Sequence, residues 1–188
     1  IVDRKIFEQL VLALKAAMSA FQAGPTWDET TTYSPIISER QLARIDGIVS
    51  AAVAAGADCI LGGKRLEREG YFYAPTILTA VDERSPAVIE EIFGPVLTVQ
   101  SFEDEAEAFA LSDHPMYGLA AGVFTADLSQ AMRALSRVQA GTVWVNRYGR
   151  SRDHILPTGG YKGSGIGKDL GREAYRSNRR QKSVLIQF

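Results

Sequence analysis

An α/β fold is predicted: three layers, a mostly parallel sheet with helices on both faces, and an additional strand at the C-terminus. Three observations predict it. Helical and extended segments alternate along the chain, which argues for crossover connections between parallel strands. The extended segments are short and apolar throughout, as strands covered on both sides must be. The last segment, residues 183–188, reads as a strand with no later segment to pair with.

The elements follow in order. Residues 6–21 form an amphipathic helix whose Phe7, Leu10, Val11, Leu14, Met18 and Phe21 recur at helical spacing. Gly24-Pro25 stops it, and residues 25–37, with Pro25, Pro35 and four threonines, make a loop. Ser38-Glu39-Arg40-Gln41 is a capping-box pattern opening a second helix, with Leu42, Ile45, Val49 and Val53 inward and Gly56 at its C-terminal cap. Asp58 to Leu61 is a short strand, closed by Gly62-Gly63, that buries Cys59. Tyr71 to Leu78 is extended, and Pro75 keeps it out of a central ladder or near an edge. Val96 to Phe102 is one strand, and Ser101 and Asp104 then open a helix to about Ser112. Leu119 to Phe124 is a strand. Asp127 and Gln130 box a helix with Leu128, Ala131, Met132, Leu135 and Val138 inward, and Thr142 to Val145 is a further strand. Residues 147–168 lack periodicity and form a long loop, of the kind that is functional or mobile. A short helix spans about Asp169–Ser177 before the terminal strand.

The bulk numbers exclude several classes. The 188 residues suffice for one large domain, or one domain with a small appendage. Apolar residues at 46% and charged residues at 23% match a soluble globular protein. A net charge of −1 leaves no footprint for nucleic acid or an anionic membrane. No apolar run reaches the length of a membrane span, and no secretory signal opens the chain. A single cysteine cannot make an internal disulfide, so a reducing, cytoplasmic setting is expected. A start at Ile1-Val2-Asp3-Arg4 points to a processed, cut or engineered beginning.

Few residues promise chemistry by themselves. The glycine loop GGYKGSGIGKDLG (159–171) fits a phosphate cradle poorly. Lys162 stands where a Walker loop needs glycine, Asp169 stands where it needs Ser or Thr, and no strand leads into the loop. Glycines that let the backbone turn beside something bulky are the better reading. Cys59 reads as a small buried hydrophobe rather than a nucleophile. His114 and His154 are too isolated for a metal site, and no metal is expected. Arg147, Arg150 and Arg152 read as a solvated basic loop, with an anion clamp as the alternative. Arg179, Arg180 and Lys182 are likewise a solvated run.

Glu91 is the exception. It stands in EEIFGPV (90–96), at the mouth of an apolar strand. A carboxylate only accepts hydrogen bonds, which suits a pair of vicinal hydroxyls such as those of a ribose. Phe93, two residues on, shares its side if the segment is extended. From these residues alone, a charge facing water remains the plainer account.

EEIFGPV (90–96), YGLAAGVFT (117–125), AGTVWVN (140–146) and PTGGYKGSGIGKDLG (157–171) occur in this order and spacing, after SPIIS (34–38) and a helix ending in GAD. As a set they resemble the C-terminal, catalytic-domain part of an NAD(P)-dependent aldehyde dehydrogenase, over essentially the whole chain. The resemblance implies that Glu91 accepts hydrogen bonds from the nicotinamide ribose and that Phe93 packs near that ribose and ring. It implies that Asn146 lies beside the active-site floor and that Thr158, in the PTGG turn, lies at the substrate tunnel. It divides the chain into a partial catalytic domain, 1–168, and a short helix with an oligomerisation strand, 169–188; the dinucleotide-binding domain is absent. The final strand would add to a sheet of a neighbouring subunit, giving a homo-oligomer. The family oxidises an aldehyde to a carboxylic acid through a cysteine thioester, with NAD or NADP as cofactor. Its nucleophile belongs upstream of the segment matched by IVDRKIF (1–7), so no catalytic residue is expected here, and the chain alone is expected to be inactive and to bind neither cofactor.

Two departures stand out. Thr158 replaces the phenylalanine frequent before the Gly-Gly, leaving a wider or more polar tunnel; Tyr33-Ser34-Pro35 replaces a Met-Gly-Pro. A non-catalytic truncated oligomerisation module is the main alternative. A cysteine-independent enzyme using the glycine loop for a phosphate ligand is a remote second.

Overall fold

The structure is a computed structural model that describes residues 1–149 and 154–188. Arg150 and Arg152 lie outside the described residues. The chain divides into two compact units, Ile1–Leu111 and Ser112–Phe188.

In the first unit, strand β1 (Val2–Asp3) leads through a 3-10 turn at Arg4–Ile6 into helix α1 (Phe7–Ser19). The apolar stripe of α1 is narrower than its periodicity suggests. Val11 is buried and Phe7, Leu14 and Met18 are half-buried, while Leu10 and Phe21 stay exposed. Helix α2 (Glu39–Ala54) is better covered. Ser38 Oγ accepts from the Gln41 N–H at 3.3 Å, and Leu42, Ile45, Ile48, Val49 and Ala52 are buried. Val53, expected inward, is exposed. Gly56 follows the helix at φ +105°, the left-handed conformation of a glycine cap.

Strand β2 (Asp58–Leu61) pairs antiparallel with β3 (Thr76–Thr79), with a register shift between Cys59 and Leu61. Helix α3 (Pro86–Ile89) has Ser85 as its N-cap and precedes β4 (Val96–Val99), which runs parallel to β3. The order β2-β3-β4 makes β3 central, and it is buried at every position. Proline has not forced this segment to an edge. Pro75 stands just before the first paired residue, where its missing N–H costs no ladder bond. Cys59 is also corrected: it is exposed, because β2 is an outer strand and the shift breaks its alternation. The single strand expected over 96–102 breaks at Gln100, whose carbonyl accepts from the Val2 N–H at 2.9 Å. Strand β5 (Ser101–Phe102) then pairs parallel with β1. Helix α4 (Glu105–Ser112) begins where Asp104 accepts from the Glu107 N–H at 2.9 Å.

In the second unit, β6 (Tyr117–Gly118) and β7 (Ala120–Val123) precede α5 (Leu128–Arg137) and β8 (Thr142–Val145). β7 and β8 are parallel, so β7-α5-β8 is a crossover unit of the expected kind. Asp127 caps α5 by accepting from the Ser129 and Gln130 N–H groups. The buried face of α5 differs from expectation. Ala131 and Ala134 are covered, whereas Leu128, Met132 and Leu135 are 76%, 58% and 42% exposed. Small side chains allow close approach, and a two-stranded sheet has little area to cover a wide helix face. Strand β9 (Tyr161–Lys162) pairs antiparallel with β6, and α6 (Gly171–Ser177) is the last helix. Residues 183–188 are fully exposed and have no strand partner within the described chain. The sheets are therefore mixed, with parallel and antiparallel pairs, and the fold is α/β.

Ile45 lies at zero exposure in the main core of the first unit. Ile45→Ala is expected to lower stability by about 2–5 kcal/mol. Val53→Ala, on the exposed side of the same helix, should change it by less than about 0.5 kcal/mol. Urea denaturation of both variants checks the helix orientation.

Candidate functional site

The turn between α3 and β4 carries Glu91 and Phe93. Helix α3 is one turn long and ends at Ile89, and the backbone of Glu90 is already extended. Ile92 then goes inward, joining the cluster of Leu42, Ile45 and Leu78. Glu91 and Phe93, on either side of it, are exposed, Phe93 at 75%. The segment is not simply extended. Phe93 adopts φ +53°, in the left-handed region, which costs a non-glycine residue roughly 1–3 kcal/mol. The alternation argument for the side shared by these two residues therefore does not apply in its simple form.

Helix α2 holds this turn from behind. Gln41 Nε2 donates to the carbonyls of Ile92 at 2.9 Å and Phe93 at 3.3 Å. Arg44 Nη1 donates to the carbonyls of Glu91 at 2.8 Å and Ile92 at 3.2 Å, and its Nη2 reaches the Glu90 carboxylate at 2.9 Å. Gly94 passes so close that a Cβ there would lie 2.5 Å from Ile45 Cδ1. Of the two adjacent acids, Glu90 is paired. Among the described residues no hydrogen bond or ion pair engages the Glu91 carboxylate.

The second unit holds the other two candidates, and they differ. Asn146, at φ +53°, spends its amide on one neighbour. Its Oδ1 accepts from the Thr125 N–H at 2.9 Å and its Nδ2 donates to the Thr125 carbonyl at 2.9 Å. This two-way clasp ties the end of β8 to the end of β7. Thr158 instead lines a cavity of about 270 Å³ together with Leu119, Thr142, Trp144, Tyr148 and Pro157. The Trp144 and Tyr148 rings meet edge-on at 5.2 Å. Thr142 Oγ1 is buried with no hydrogen-bond partner among the described residues. The Thr158 backbone exchanges two 2.6 Å hydrogen bonds with Asp169, which folds the PTGG turn onto the glycine loop.

Gly159 and Gly160 of that loop serve close packing, while Gly165 and Gly167 have open space around them and stand at φ +129° and +86°. A Cβ on Gly159 would lie 2.4 Å from the Gly167 carbonyl oxygen, and one on Gly160 would lie 2.4 Å from Ser164 Cβ. Lys162 is directed to the Asp113 carboxylate and the His114 carbonyl. Cys59 turns its thiol to the Leu61 carbonyl at 3.3 Å. Among the described residues no group of three or more His, Cys, Asp or Glu side chains could hold a metal ion. No helix of the described residues is long and apolar enough to cross a membrane.

Gln41, Arg44, Thr142, Trp144 and Tyr148 were missed by sequence reasoning. The first two share a helix face three residues apart, but their partners lie 46–52 residues away, beyond any local pattern. Trp144 stands in the quoted AGTVWVN motif, which was its only signal.

These features define an α/β protein that presents an unengaged carboxylate and an aromatic ring on a turn braced by a core helix. The chain belongs to the aldehyde dehydrogenase family, whose family model matches residues 1–184. A betaine aldehyde dehydrogenase of Vibrio vulnificus is 37% identical over 191 residues, covering 100% of this chain and 39% of the relative. An aldehyde dehydrogenase of Emericella nidulans is 37% identical, covering 98% of this chain and 37% of its own length. The chain thus spans about two fifths of the curated relatives it matches. Two solved structures are similar. Betaine aldehyde dehydrogenase of Staphylococcus aureus in complex with NAD+ has a TM-score of 0.87 and 37% identity, covering 94% of this chain and 36% of that one. The NAD+ complex of a Bacillus cereus aldehyde dehydrogenase has a TM-score of 0.87 and 36% identity, covering 92% and 35%.

Gly94→Ala is expected to destabilise the first unit by about 1–3 kcal/mol, since Ile45 is buried and cannot swing away freely. Thermal melting of this variant beside Gly47→Ala, within α2 where a Cβ meets nothing within 4 Å, isolates the crowding at Gly94.

Proposed function

We propose that this chain is the C-terminal, catalytic-domain part of an NAD(P)-dependent aldehyde dehydrogenase that oxidises a small-molecule aldehyde to a carboxylic acid. In this reading residues 1–168 are a partial catalytic domain and 169–188 a short helix and oligomerisation strand. The observation that carries it is the turn at 91–93. An exposed carboxylate, with no partner among the described residues, and an exposed ring two residues on share one turn whose backbone is held from behind. Family membership and the NAD+ complexes of the Staphylococcus and Bacillus relatives support the same reading.

The residues fit such a cofactor. Glu91 offers oxygens that only accept, matched to the vicinal hydroxyls of a ribose. Phe93 offers an apolar face to a flat ring and keeps water from it. When bound, the cofactor supplies the hydride acceptor. The chain's own residues orient and enclose. Glu91 fixes the sugar, Phe93 restricts the ring, and Thr158 lines the path of the aldehyde. Asn146 acts by holding β8 to β7 through Thr125. The nucleophilic cysteine is encoded outside these residues, and Cys59, turned to a local carbonyl, does not replace it.

Two measurements test this. The purified 188-residue chain should form no NADH with any aldehyde, and turnover would contradict the assignment. In the parent enzyme, Glu91→Gln should slow hydride transfer while leaving thiol alkylation unchanged. The loss of a charge-assisted hydrogen bond, about 1.5–3 kcal/mol, corresponds to roughly ten- to a hundredfold. Unchanged kinetics would remove Glu91 from the site.

The exposed apolar tail, with Leu185 at 99% and Phe188 at 113%, favours a second reading, a non-catalytic module that assembles through strand addition. In either reading the chain forms homo-oligomers through residues 183–188. Light scattering should report oligomers that disappear when these residues are deleted. If parent-enzyme activity is also absent, the module is the better account.

A further inference from the structure

We propose that His114 is an acid-sensitive latch. As a neutral imidazole it holds the 113–118 turn in the shape on which the glycine loop docks, and its protonation releases that loop. His114, the turn and the loop all belong to the second unit, and none of them takes part in the turn at 91–93.

The local chain makes His114 a cap. Pro115 has no N–H, so the first amides beyond His114 are those of Met116 and Tyr117. Both donate to one atom: Nδ1 accepts from the Met116 N–H at 3.1 Å and from the Tyr117 N–H at 3.0 Å. The ring stacks on that of Tyr117, with centroids 5.1 Å apart and planes inclined by 27°. It is half-buried, so protons reach it. A ring nitrogen that accepts carries no hydrogen, which places the proton of the neutral ring on Nε2. Protonation makes Nδ1 a donor aimed at two donors, and both bonds are lost together.

The turn held in this way is the seat of the glycine loop. Strand β6, at its end, pairs with β9. The Gly163 N–H donates to the Met116 carbonyl at 2.8 Å, and the Gly118 N–H donates to Ser164 Oγ at 3.0 Å. Lys162 Nζ donates to the His114 carbonyl at 2.7 Å and to the Asp113 carboxylate. The fit is close: a Cβ on Gly163 would lie 2.9 Å from the Met116 carbonyl oxygen. A shift of the turn is therefore felt by the loop. Lys162 stands at φ +53°, in the left-handed region, so the docked form carries strain that these bonds offset. Thr158 is tied to the end of the loop through Asp169, so release also loosens one wall of the cavity of about 270 Å³.

The surrounding charges and the proton balance set the direction. Asp113 and Tyr117 stand on the same segment, and β9 brings Tyr161 and Lys162. Helix α4, which ends at Ser112, carries Glu105 and Glu107 in its first turn. The ammonium that engages Asp113 also lies on the His114 carbonyl, and it opposes a second positive charge on the ring. The released form leaves Nδ1 open to a proton, so falling pH favours release and rising pH favours docking. Carboxylates and ammonium groups keep their charges between about pH 5.5 and 8, where an imidazole changes its own.

The test is hydrogen–deuterium exchange, read by mass spectrometry on the parent protein at full length, at about pH 8 and about pH 5.5 with intrinsic exchange rates corrected for. In the wild type, segments 112–121 and 158–171 should lose protection at the lower pH by roughly tenfold, the worth of one or two net hydrogen bonds. Strand β3 should keep its protection, which separates release of the loop from general unfolding. His114→Asn offers an amide oxygen that accepts from the same N–H groups and does not titrate, so it should keep the loop protected at both pH values. His114→Leu should lack that protection at both. Equal protection of the wild-type loop at the two pH values overturns the latch. So does an acid loss that persists in His114→Asn or extends to β3, or full protection in His114→Leu. If His114→Leu fails to fold, the wild type beside His114→Asn decides the matter.

Discussion

The seating of α2 against the first unit's core is the constraint on which the candidate site depends. Burying Leu42, Ile45 and Val49 contributes about 1.5–3 kcal/mol each. That sum comfortably exceeds the roughly 1–3 kcal/mol of strain at Phe93. The helix orientation is thus decided by apolar burial, and the turn adapts to it. Once the stripe faces inward, Gln41 and Arg44 reach the 90–94 carbonyls, and Gly94 must lack a side chain because Ile45 fills the space. Hydrophobic packing fixes where polar donors stand, and those donors fix the backbone of the turn.

Several polar groups of this chain are committed to architecture. Asn146 has both ends of its amide committed to Thr125, and Lys162 is committed to Asp113 and the His114 carbonyl. Ser164 accepts from the Gly118 N–H, tying the glycine loop to β6. These groups hold loops together. Among the described residues nothing engages the Glu91 side chain, while the backbone of its turn is held by four hydrogen bonds from Gln41 and Arg44, and a fifth runs from Arg44 to the Glu90 carboxylate. A backbone that is already held loses little further entropy when a ligand engages the side chain it carries.

Much of the fold was legible in the sequence, and much of the site was not. The caps at Ser38 and Asp127, the glycine after α2 and the β7-α5-β8 crossover all appear where local pattern predicted them. Cap and period act over three or four residues, so a linear reading contains them. The failures share one cause. Pro75 was read as an edge signal, but β3 begins one residue later and lies in the centre of its sheet. Cys59 was read as buried, but exposure on β2 depends on which strands lie beside it. Leu128, Met132 and Leu135 carry helical periodicity, yet α5 buries its alanines. Periodicity identifies a helix and its candidate faces; the available partner surface selects among them.

The sequence by itself determined the alternation of elements, their caps and the family-like motifs that point to Glu91, Phe93, Asn146 and Thr158. Tertiary structure alone decided which of these groups have their polar atoms committed to neighbours. It consumed Asn146 in a backbone clasp, left Glu91 open, twisted Phe93 out of the extended form and brought Gln41 and Arg44 to a turn some fifty residues away. The physical reason is range. Propensity and capping are local energies, whereas a side chain's hydrogen-bond partners depend on distant segments that only the packed core brings together.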